Sequence, residues 1–225
     1  MAVTFCRSAL IFSTSAGAFS PAIADEGAAP PRSVSYRRLW KSFRSSLKAS
    51  LPRPDWEALK SEPLMLHEMR PHHVGEEHQG FIKAGTARIA RTYLRTEAER
   101  APFWLTLGED GRFYDYQGHR FDTGGHKVPL SMDPAGHIYA RNFPDDEVRE
   151  QYKHSSYTAG GPVLMAADVR FADGLLTFAV NRSGHYRPWR RSFIKWLLLL
   201  ESVHADLSQL EMDFDRKSRP DILAP

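Results

Sequence analysis

Two short motifs near the C-terminal end of the sequence carry residues that could perform acid–base chemistry. They are His154-Ser155-Ser156 and Ser183-Gly184-His185-Tyr186-Arg187. Two imidazoles beside hydroxyl groups can donate and accept protons, and an imidazole near a helix N-terminus suits the binding of phosphate or another anion. Asp168 lies between the two motifs and supplies a carboxylate. We therefore predict a site in which His154, Ser155, His185 and Asp168 are the catalytic residues.

A further set of polar residues is predicted to bind the substrate of that site. The combined set suffices for general acid–base catalysis of a transfer reaction onto a nucleotide-derived substrate or a protein group. The cofactor is unknown, and a nucleotide is compatible with this set of residues. The competing interpretation is that the same histidines and serines cap turns of the sheet. No nucleophile elbow, P-loop, dinucleotide-binding motif or zinc signature occurs, so it stays open whether the protein is an enzyme. The predicted substrate-binding residues are Asp122, Thr123, Ser156, Ser183, Gly184, Tyr186 and Arg187.

The two motifs are connected by the strongest hairpin signal in the sequence. Apolar and polar residues alternate over 163–171 and 175–181, on either side of Ala172-Asp173-Gly174. This alternation with an Asp-Gly turn is typical of two antiparallel strands. The hairpin is expected to return the chain so that His154 and His185 meet at one end of the sheet.

The remaining pattern predicts an α+β fold with a mostly antiparallel sheet, a central hairpin, a packed C-terminal helix and an N-terminal basic helix. Short strands are predicted over 103–107, 112–116, 127–132 and 137–142, and a helix over 86–100. Pro188 is expected at the first turn of the C-terminal helix. The buried face of that helix is expected to comprise Phe193, Trp196, Leu197, Leu200 and Val203, and a last strand to comprise Leu210, Met212 and Phe214.

A histidine-rich stretch precedes these elements. Imidazole and carboxylate groups are ligands of divalent metals, but the spacing here lacks the i, i+4 pair of a zincin helix, and Pro71 interrupts the run. We therefore predict a solvated loop and no metal site. The residues concerned are His67, Glu68, His72, His73, Glu76, Glu77 and His78.

The N-terminal part of the chain divides into two predicted segments. Residues 1–24 contain no acidic residue and end in Ala22-Ile23-Ala24, which is typical of a signal peptide; a plastid-type presequence is the alternative. Residues 25–60 form a predicted basic helical extension, on which a calmodulin-like partner, an acidic membrane surface or the protein's own domain could dock. Its partner-binding residues are predicted to be Leu39, Trp40, Phe43 and Leu47.

Length and composition limit the remaining classes. The 225 residues suit one domain, placed at 61–225, and the single cysteine excludes an internal disulfide. A net charge of +3 gives no reason to expect a specific nucleic acid partner, and no apolar run is long enough to span a membrane. The oligomeric state is not predicted.

The order of these motifs resembles a known domain. The blocks Met132-Asp133, His154-Ser155-Ser156 with Gly160-Gly161-Pro162-Val163, Asp173-Gly174 and Ser183-Gly184-His185-Tyr186 are similar to a domain of bacterial polymorphic toxins and effectors. The same domain occurs in plant IQ-motif calmodulin-binding proteins. The resemblance implies an exported effector that acts as a transferase, secreted or periplasmic, with a host protein as target. The alternative that it implies is a calmodulin-type or acidic-partner binding module without catalysis.

Overall fold

The structure is a computed structural model that describes residues 61–84, 87–143 and 146–215. Its strands are β1 (Phe81–Ala84), β2 (Ala87–Ala90), β3 (Trp104–Leu107), β4 (Phe113–Tyr114), β5 (Val128–Met132), β6 (Ile138–Ala140), β7 (Met165–Ala172), β8 (Leu175–Val180) and β9 (Glu211–Asp213). Its α-helices are α1 (Glu76–Gln79), α2 (Glu97–Arg100), α3 (Asp146–Gln151) and α4 (Arg190–Ser202). Short 3-10 helices lie at Pro71–His73, Ala101–Phe103 and His154–Ser156.

A seven-stranded sheet organises the described part of the chain. The strand order is β4-β3-β6-β5-β7-β8-β9, and neighbouring strands are antiparallel except for β8 and β9, which are parallel. β1 and β2 form a separate antiparallel pair. The mixed α+β class, the central hairpin of β7 and β8 and the four short strands before it are as predicted. No helix in the described residues has the length and apolar character needed to cross a membrane.

The two faces of the sheet have different roles. Successive side chains of a strand point to opposite faces. In β5 and β7 one set of alternate residues is buried in the main core with α4: Val128, Leu130, Met132, Met165, Ala167, Val169 and Phe171. The residues between them include Ser131, Ala166 and Asp168, and the Ser131 hydroxyl donates a hydrogen bond to the backbone oxygen of His154 at 2.8 Å. The His154 turn therefore lies on the face of the sheet opposite α4.

Helix α4 begins and ends slightly inside the predicted limits. Phe193, Trp196, Leu197 and Leu200 are buried as predicted. Trp189 is the residue before the first turn, so Pro188 precedes the helix instead of opening it; its backbone oxygen accepts a hydrogen bond from the Asn181 amide at 2.8 Å. Val203 follows the last turn and is only half-buried, because the helix ends at Ser202.

The predicted helix over 86–100 is wrong. The structure has β2 over Ala87–Ala90, an extended segment after it, and α2 over Glu97–Arg100. Pairing with β1 satisfies the backbone groups of β2, and the backbone amide of Leu94 donates to Ser156 O at 2.9 Å. A capping box between Thr96 and Glu99 then starts the helix. A tight hairpin with β1 and a backbone bond to the distant Ser156 therefore override the helix-forming composition of this segment.

The predicted targeting peptide and basic helix lie outside the described residues. The same holds for the predicted partner-binding residues Leu39, Trp40, Phe43 and Leu47. These assignments, with the domain boundary at residue 61, stay predictions.

Candidate functional site

The histidine-rich stretch lies against both predicted motifs. His67 N donates to Val163 O at 2.7 Å, Val163 N donates to His67 O at 3.1 Å, and Arg70 N donates to His185 O at 2.8 Å. Met69 packs in a small cluster with Val163, Ala166 and Tyr186. The stretch that the sequence indicated as a solvated loop is therefore bonded to the sheet and to the turn that carries His185.

Glu76 lies between two histidines that are far apart in the sequence. Its Oε1 is 2.7 Å from His73 Nδ1, and its Oε2 is 3.0 Å from His185 Nε2. The centroids of the two imidazole rings are 4.3 Å apart, and His72 lies on the other side of His73 at 4.0 Å. The His185 side chain is only 12% exposed and that of Glu76 19% exposed. Water screens this contact less than it screens an ion pair on the open surface.

His154 faces the carboxylate of Asp168. Its Nε2 is 3.4 Å from Asp168 Oδ1, and the ring is almost fully buried. Burial lowers the pKa of His154, while the nearby Asp168 raises it, and the net direction is downward. Burial raises the pKa of Asp168 above its usual range, against the opposing effect of His154. The pair is thus a buried imidazole and a buried carboxyl group, each of which is shifted by burial towards its neutral form.

Several buried polar atoms near these residues have no hydrogen-bond partner. Among the described residues they include His154 Nε2, Ser155 Oγ and the Tyr93 hydroxyl. Burial raises the pKa of Tyr93, and the nearby Ser155 hydroxyl lowers it, so the two hydroxyls are neighbours. Buried polar groups nearly always find a partner, so each unpaired group requires an explanation such as a bound ligand or water.

Burial and three nearby side chains shift the pKa of His185. Burial lowers the pKa of His185, Glu76 raises it, and His73 and His154 lower it further. The imidazoles of His154 and His185 therefore favour the neutral form, in which one ring nitrogen can accept a proton or bind a metal. The structure places the two motifs in one region, as the hairpin predicted.

Ser156, Ser183 and Tyr186 make hydrogen bonds within the fold. Ser156 Oγ accepts from Lys153 N at 2.9 Å, and Ser183 Oγ accepts from Tyr186 N at 3.3 Å. The Tyr186 hydroxyl donates to Gly161 O at 2.7 Å, and burial raises the pKa of this phenol. These contacts stabilise the turns of both motifs. They agree with the competing interpretation, in which the serines cap turns of the sheet. Their predicted part in substrate binding stays a prediction.

Gly184 and Arg187 belong to the same turn as His185. Gly184 is exposed, and no atom lies within 4 Å of a side chain that would replace its hydrogen. Arg187 is half-buried and has a φ of 46°, in the left-handed region that non-glycine residues rarely adopt. Its backbone amide donates to Ser183 O at 3.0 Å, which closes the turn.

Asp122 and Thr123 are not brought to this region. Asp122 is exposed, and its Oδ2 accepts from Asp173 N at 2.9 Å at the tip of the β7–β8 hairpin. The Thr123 hydroxyl donates to Phe171 O and accepts from Phe171 N, both at 3.1 Å. Phe171 lies three positions after Asp168 in β7, which corresponds to roughly 10 Å along the strand. Both residues therefore stabilise the tip of the β7–β8 hairpin. They do not lie beside His154, contrary to the prediction that they share a site with it.

Sequence reasoning noted His73 and Glu76 but did not connect them to His185, and it did not single out Tyr93. The usable signal was the i, i+3 spacing of His73 and Glu76 in a stretch with several further histidines. His73, Glu76 and His185 each offer one ligand atom, and these atoms lie within 4.8 Å of one another. They are the residues in the described part of the chain that could hold a metal ion.

Part of the chain is similar to a known family of domains. A family model described as the IQ motif-containing protein middle domain matches residues 99–193, from α2 to the first turn of α4. The match includes both motifs and Asp168, but it begins only after His73 and Glu76. It covers less than half of the chain.

One curated relative indicates a similarity to the same family of proteins. The IQ domain-containing protein IQM2 of Arabidopsis thaliana is 31% identical over 61 residues, which are 27% of this chain and 10% of that protein. The aligned region thus spans about a tenth of the length of the relative. No solved structure matches the chain. The similarity that these comparisons support is the one to plant IQ-motif proteins, and they lend nothing to the resemblance to bacterial toxins.

Proposed function

We propose that the protein binds calmodulin or a similarly acidic helical-groove partner, and that residues 35–52 are its partner-binding segment. The observation that carries this proposal is the match of residues 99–193 to the middle domain of IQ motif-containing proteins. That match makes the binding module a better-supported interpretation than an exported transferase. The 225 residues contain no Ile-Gln pair, the feature for which the IQ motif is named, so the proposal rests on a different segment.

The basic segment has the composition that such a partner recognises. No acidic residue occurs between Gly27 and Pro54, and seven arginine and lysine residues do. Leu39, Phe43 and Leu47 recur every fourth residue, which would place them on one stripe of a helix. A basic amphipathic helix lays its apolar stripe into a hydrophobic groove while its charges face an acidic rim.

The test uses the full chain and calcium-loaded calmodulin, with binding measured by calorimetry at low and high salt. Leu39→Glu with Phe43→Glu removes two apolar anchors, each contributing roughly 1.5–3 kcal/mol when buried, so affinity should fall at least about 100-fold. The matched control is Ser42→Glu with Ser46→Glu, which adds the same charge beside the stripe. It should weaken binding far less, and mainly at low salt. Equal losses in both variants, or no binding by the unmodified chain, would refute the proposal.

A second candidate function is acid–base transfer at the site of His154, Asp168 and His185. The specific observation in its favour is the group of unpaired buried atoms, His154 Nε2, Ser155 Oγ and the Tyr93 hydroxyl. A polar substrate group bound there would complete their hydrogen bonds and meet a base with a carboxyl partner. A nucleotide-derived substrate stays the proposed class.

Labelled nucleotides mixed with the purified chain and a cell lysate test this second function. We expect transferred label with the unmodified chain and its loss, by roughly 100-fold or more, in His154→Gln. Asp122→Asn is the matched control, because Asp122 lies at the far end of the hairpin and should leave transfer intact. If no nucleotide yields transferred label, or if both variants lose it equally, the acid–base function is rejected.

A further inference from the structure

We propose that His73, Glu76 and His185 form a binding site for a divalent transition-metal ion of the zinc type. The sequence analysis predicted no metal here, because the histidine-rich stretch alone lacks a recognised spacing. The structure adds His185 from a turn 109 positions away from Glu76. The proposal does not depend on the basic segment. A negative result in the zinc experiment would therefore leave the calmodulin proposal standing, and the reverse holds as well.

The ligand atoms already lie at nearly the separations that such an ion requires. Bonds from zinc to nitrogen and oxygen ligands are about 2.0–2.1 Å long. In a tetrahedral arrangement they place neighbouring ligand atoms roughly 3.4 Å apart. Here His73 Nδ1 is 2.7 Å from Glu76 Oε1, and His185 Nε2 is 3.0 Å from Glu76 Oε2. All three ligand atoms fall within 4.8 Å of one another. The widest separation that this allows exceeds the tetrahedral value by about 1.4 Å, so side-chain rotations would have to bring the ligand atoms together.

The kinds of ligand and their charge favour the same class of ion. Two imidazoles and one carboxylate are the ligands that zinc and its neighbours prefer, whereas calcium and magnesium prefer oxygen ligands alone. The Glu76 carboxylate is only 19% exposed, and a divalent cation would offset its negative charge. The nitrogen of each ring that faces Glu76 is the atom that would become the ligand.

Three protein ligands leave a fourth coordination position open, which is the arrangement of catalytic and not of structural zinc sites. The Tyr186 hydroxyl donates to Gly161 O at 2.7 Å, so the turn that carries His185 is in contact with the segment that follows His154. An ion at this position would also join the stretch around His73 to the turn that carries His185. Binding should therefore raise the thermal midpoint of the folded domain.

The experiment measures zinc binding to the full chain after removal of bound metal with a chelator. Calorimetry and elemental analysis should find one ion per chain, and cobalt should give the visible spectrum of a tetrahedral site. Removing one ligand should weaken binding at least as much as removal of an outer-shell partner does, so His73→Asn, Glu76→Gln and His185→Asn should each lose about 100-fold in affinity. His78→Asn is the matched control from the same stretch, since its side chain is 75% exposed and it lies outside the proposed ligand set. It should bind zinc as the unmodified chain does.

The outcomes separate a built site from adventitious binding. Other histidines near carboxylates, such as His119 beside Asp115 and His137 beside Asp133, could hold an ion weakly at the surface. If all variants bind zinc with the same affinity, the ion is adventitious and the proposal is wrong. If His185→Asn does not fold, the His73→Asn variant decides the question, because the His73 side chain is 23% exposed and its replacement perturbs the fold less.

Discussion

His185 Nε2 lies 3.0 Å from Glu76 Oε2, although 109 positions separate the two residues in the chain. Glu76 opens the short helix α1, and His185 lies in the turn between β8 and α4. The contact therefore fastens the histidine-rich stretch to the turn of the second motif. It also brings two ionisable side chains into contact that are far apart in the sequence.

The energy of the interaction between Glu76 and His185 can be measured with a double-mutant cycle. A partly buried hydrogen bond to a charged group contributes roughly 1.5–3 kcal/mol, so Glu76→Gln and His185→Gln should each lower the free energy of unfolding by about this amount. Their coupling energy should be about 1–2 kcal/mol in urea denaturation with a chelator present. The control cycle is Glu150 with Lys153, an ion pair of 2.8 Å with the Glu150 side chain 68% exposed. Its coupling should be below about 0.5 kcal/mol, and equal coupling in both cycles would contradict the prediction.

The buried His67 should make stability depend on pH. Burial lowers the pKa of His67 from 6.5 to about 4, and its Nε2 has no hydrogen-bond partner among the described residues. Between these values the unfolded chain binds the proton and the folded chain does not, so the stability is complete above about pH 7 and is lost as the pH falls towards 4. A shift of this size corresponds to about 3 kcal/mol.

The measurement is the free energy of unfolding at pH 7.5 and pH 4.5, by urea denaturation. The loss on acidification should be smaller in His67→Gln than in the unmodified chain by about 2–3 kcal/mol. Some dependence should remain, because burial also lowers the pKa values of His154 and His185. In the exposed control His78→Gln the pH dependence should be unchanged. The same dependence in His67→Gln as in the unmodified chain would show that His67 is not responsible.

The features that were predicted correctly are those set by local sequence. The β7–β8 hairpin follows from alternation around Asp173-Gly174, whose φ values of 49° and 77° are those of a two-residue hairpin turn. Helix α4 follows from apolar residues at helical spacing, and only its ends differ from the prediction. Both patterns depend on neighbours a few positions apart.

The features that were missed depend on distant partners. The segment after residue 86 has helix-forming residues, but the backbone amides of Thr92 and Leu94 donate to Gln151 O and Ser156 O, which holds its second half extended. The sequence analysis also singled out no helix at Asp146–Gln151. The contact of Glu76 with His185 requires the whole hairpin to fold before the two side chains meet. No periodicity in the sequence encodes such a contact.

Gly160 should be intolerant of any side chain. Its φ is 80°, and a Cβ there would lie 3.1 Å from Met69 Cε and 3.3 Å from Glu77 Cδ. Gly160→Ala should therefore lower the free energy of unfolding by at least about 1 kcal/mol, through backbone strain and the displacement of both neighbours. Gly184→Ala is the matched control in the other motif, with open space around the added methyl group. Its effect should stay within about 0.5 kcal/mol, and a similar loss in both variants would show that the close approach is not the cause.

Thr123 should stabilise the hairpin without contributing to the candidate site. The register of β7 and β8 shifts between Arg170 and Phe171, and the Thr123 hydroxyl accepts the Phe171 amide there at 3.1 Å. Thr123→Val keeps the shape of the side chain but leaves that amide unpaired in a fully buried place, so the free energy of unfolding should fall by roughly 1–3 kcal/mol. Thr177→Val is the matched control, because the half-buried Thr177 hydroxyl only donates to Arg170 O and leaves no buried amide unpaired.

The control should lose less than about 1 kcal/mol in urea denaturation. Zinc affinity and calmodulin affinity should be unchanged in Thr123→Val, because Phe171 lies roughly 10 Å along β7 from Asp168. A selective loss of zinc binding or of transferred label in the folded Thr123→Val variant would instead return Thr123 to the site. In that case the hairpin tip and the two histidine motifs would have to approach each other during function, and the separation seen along β7 would be only one of two states.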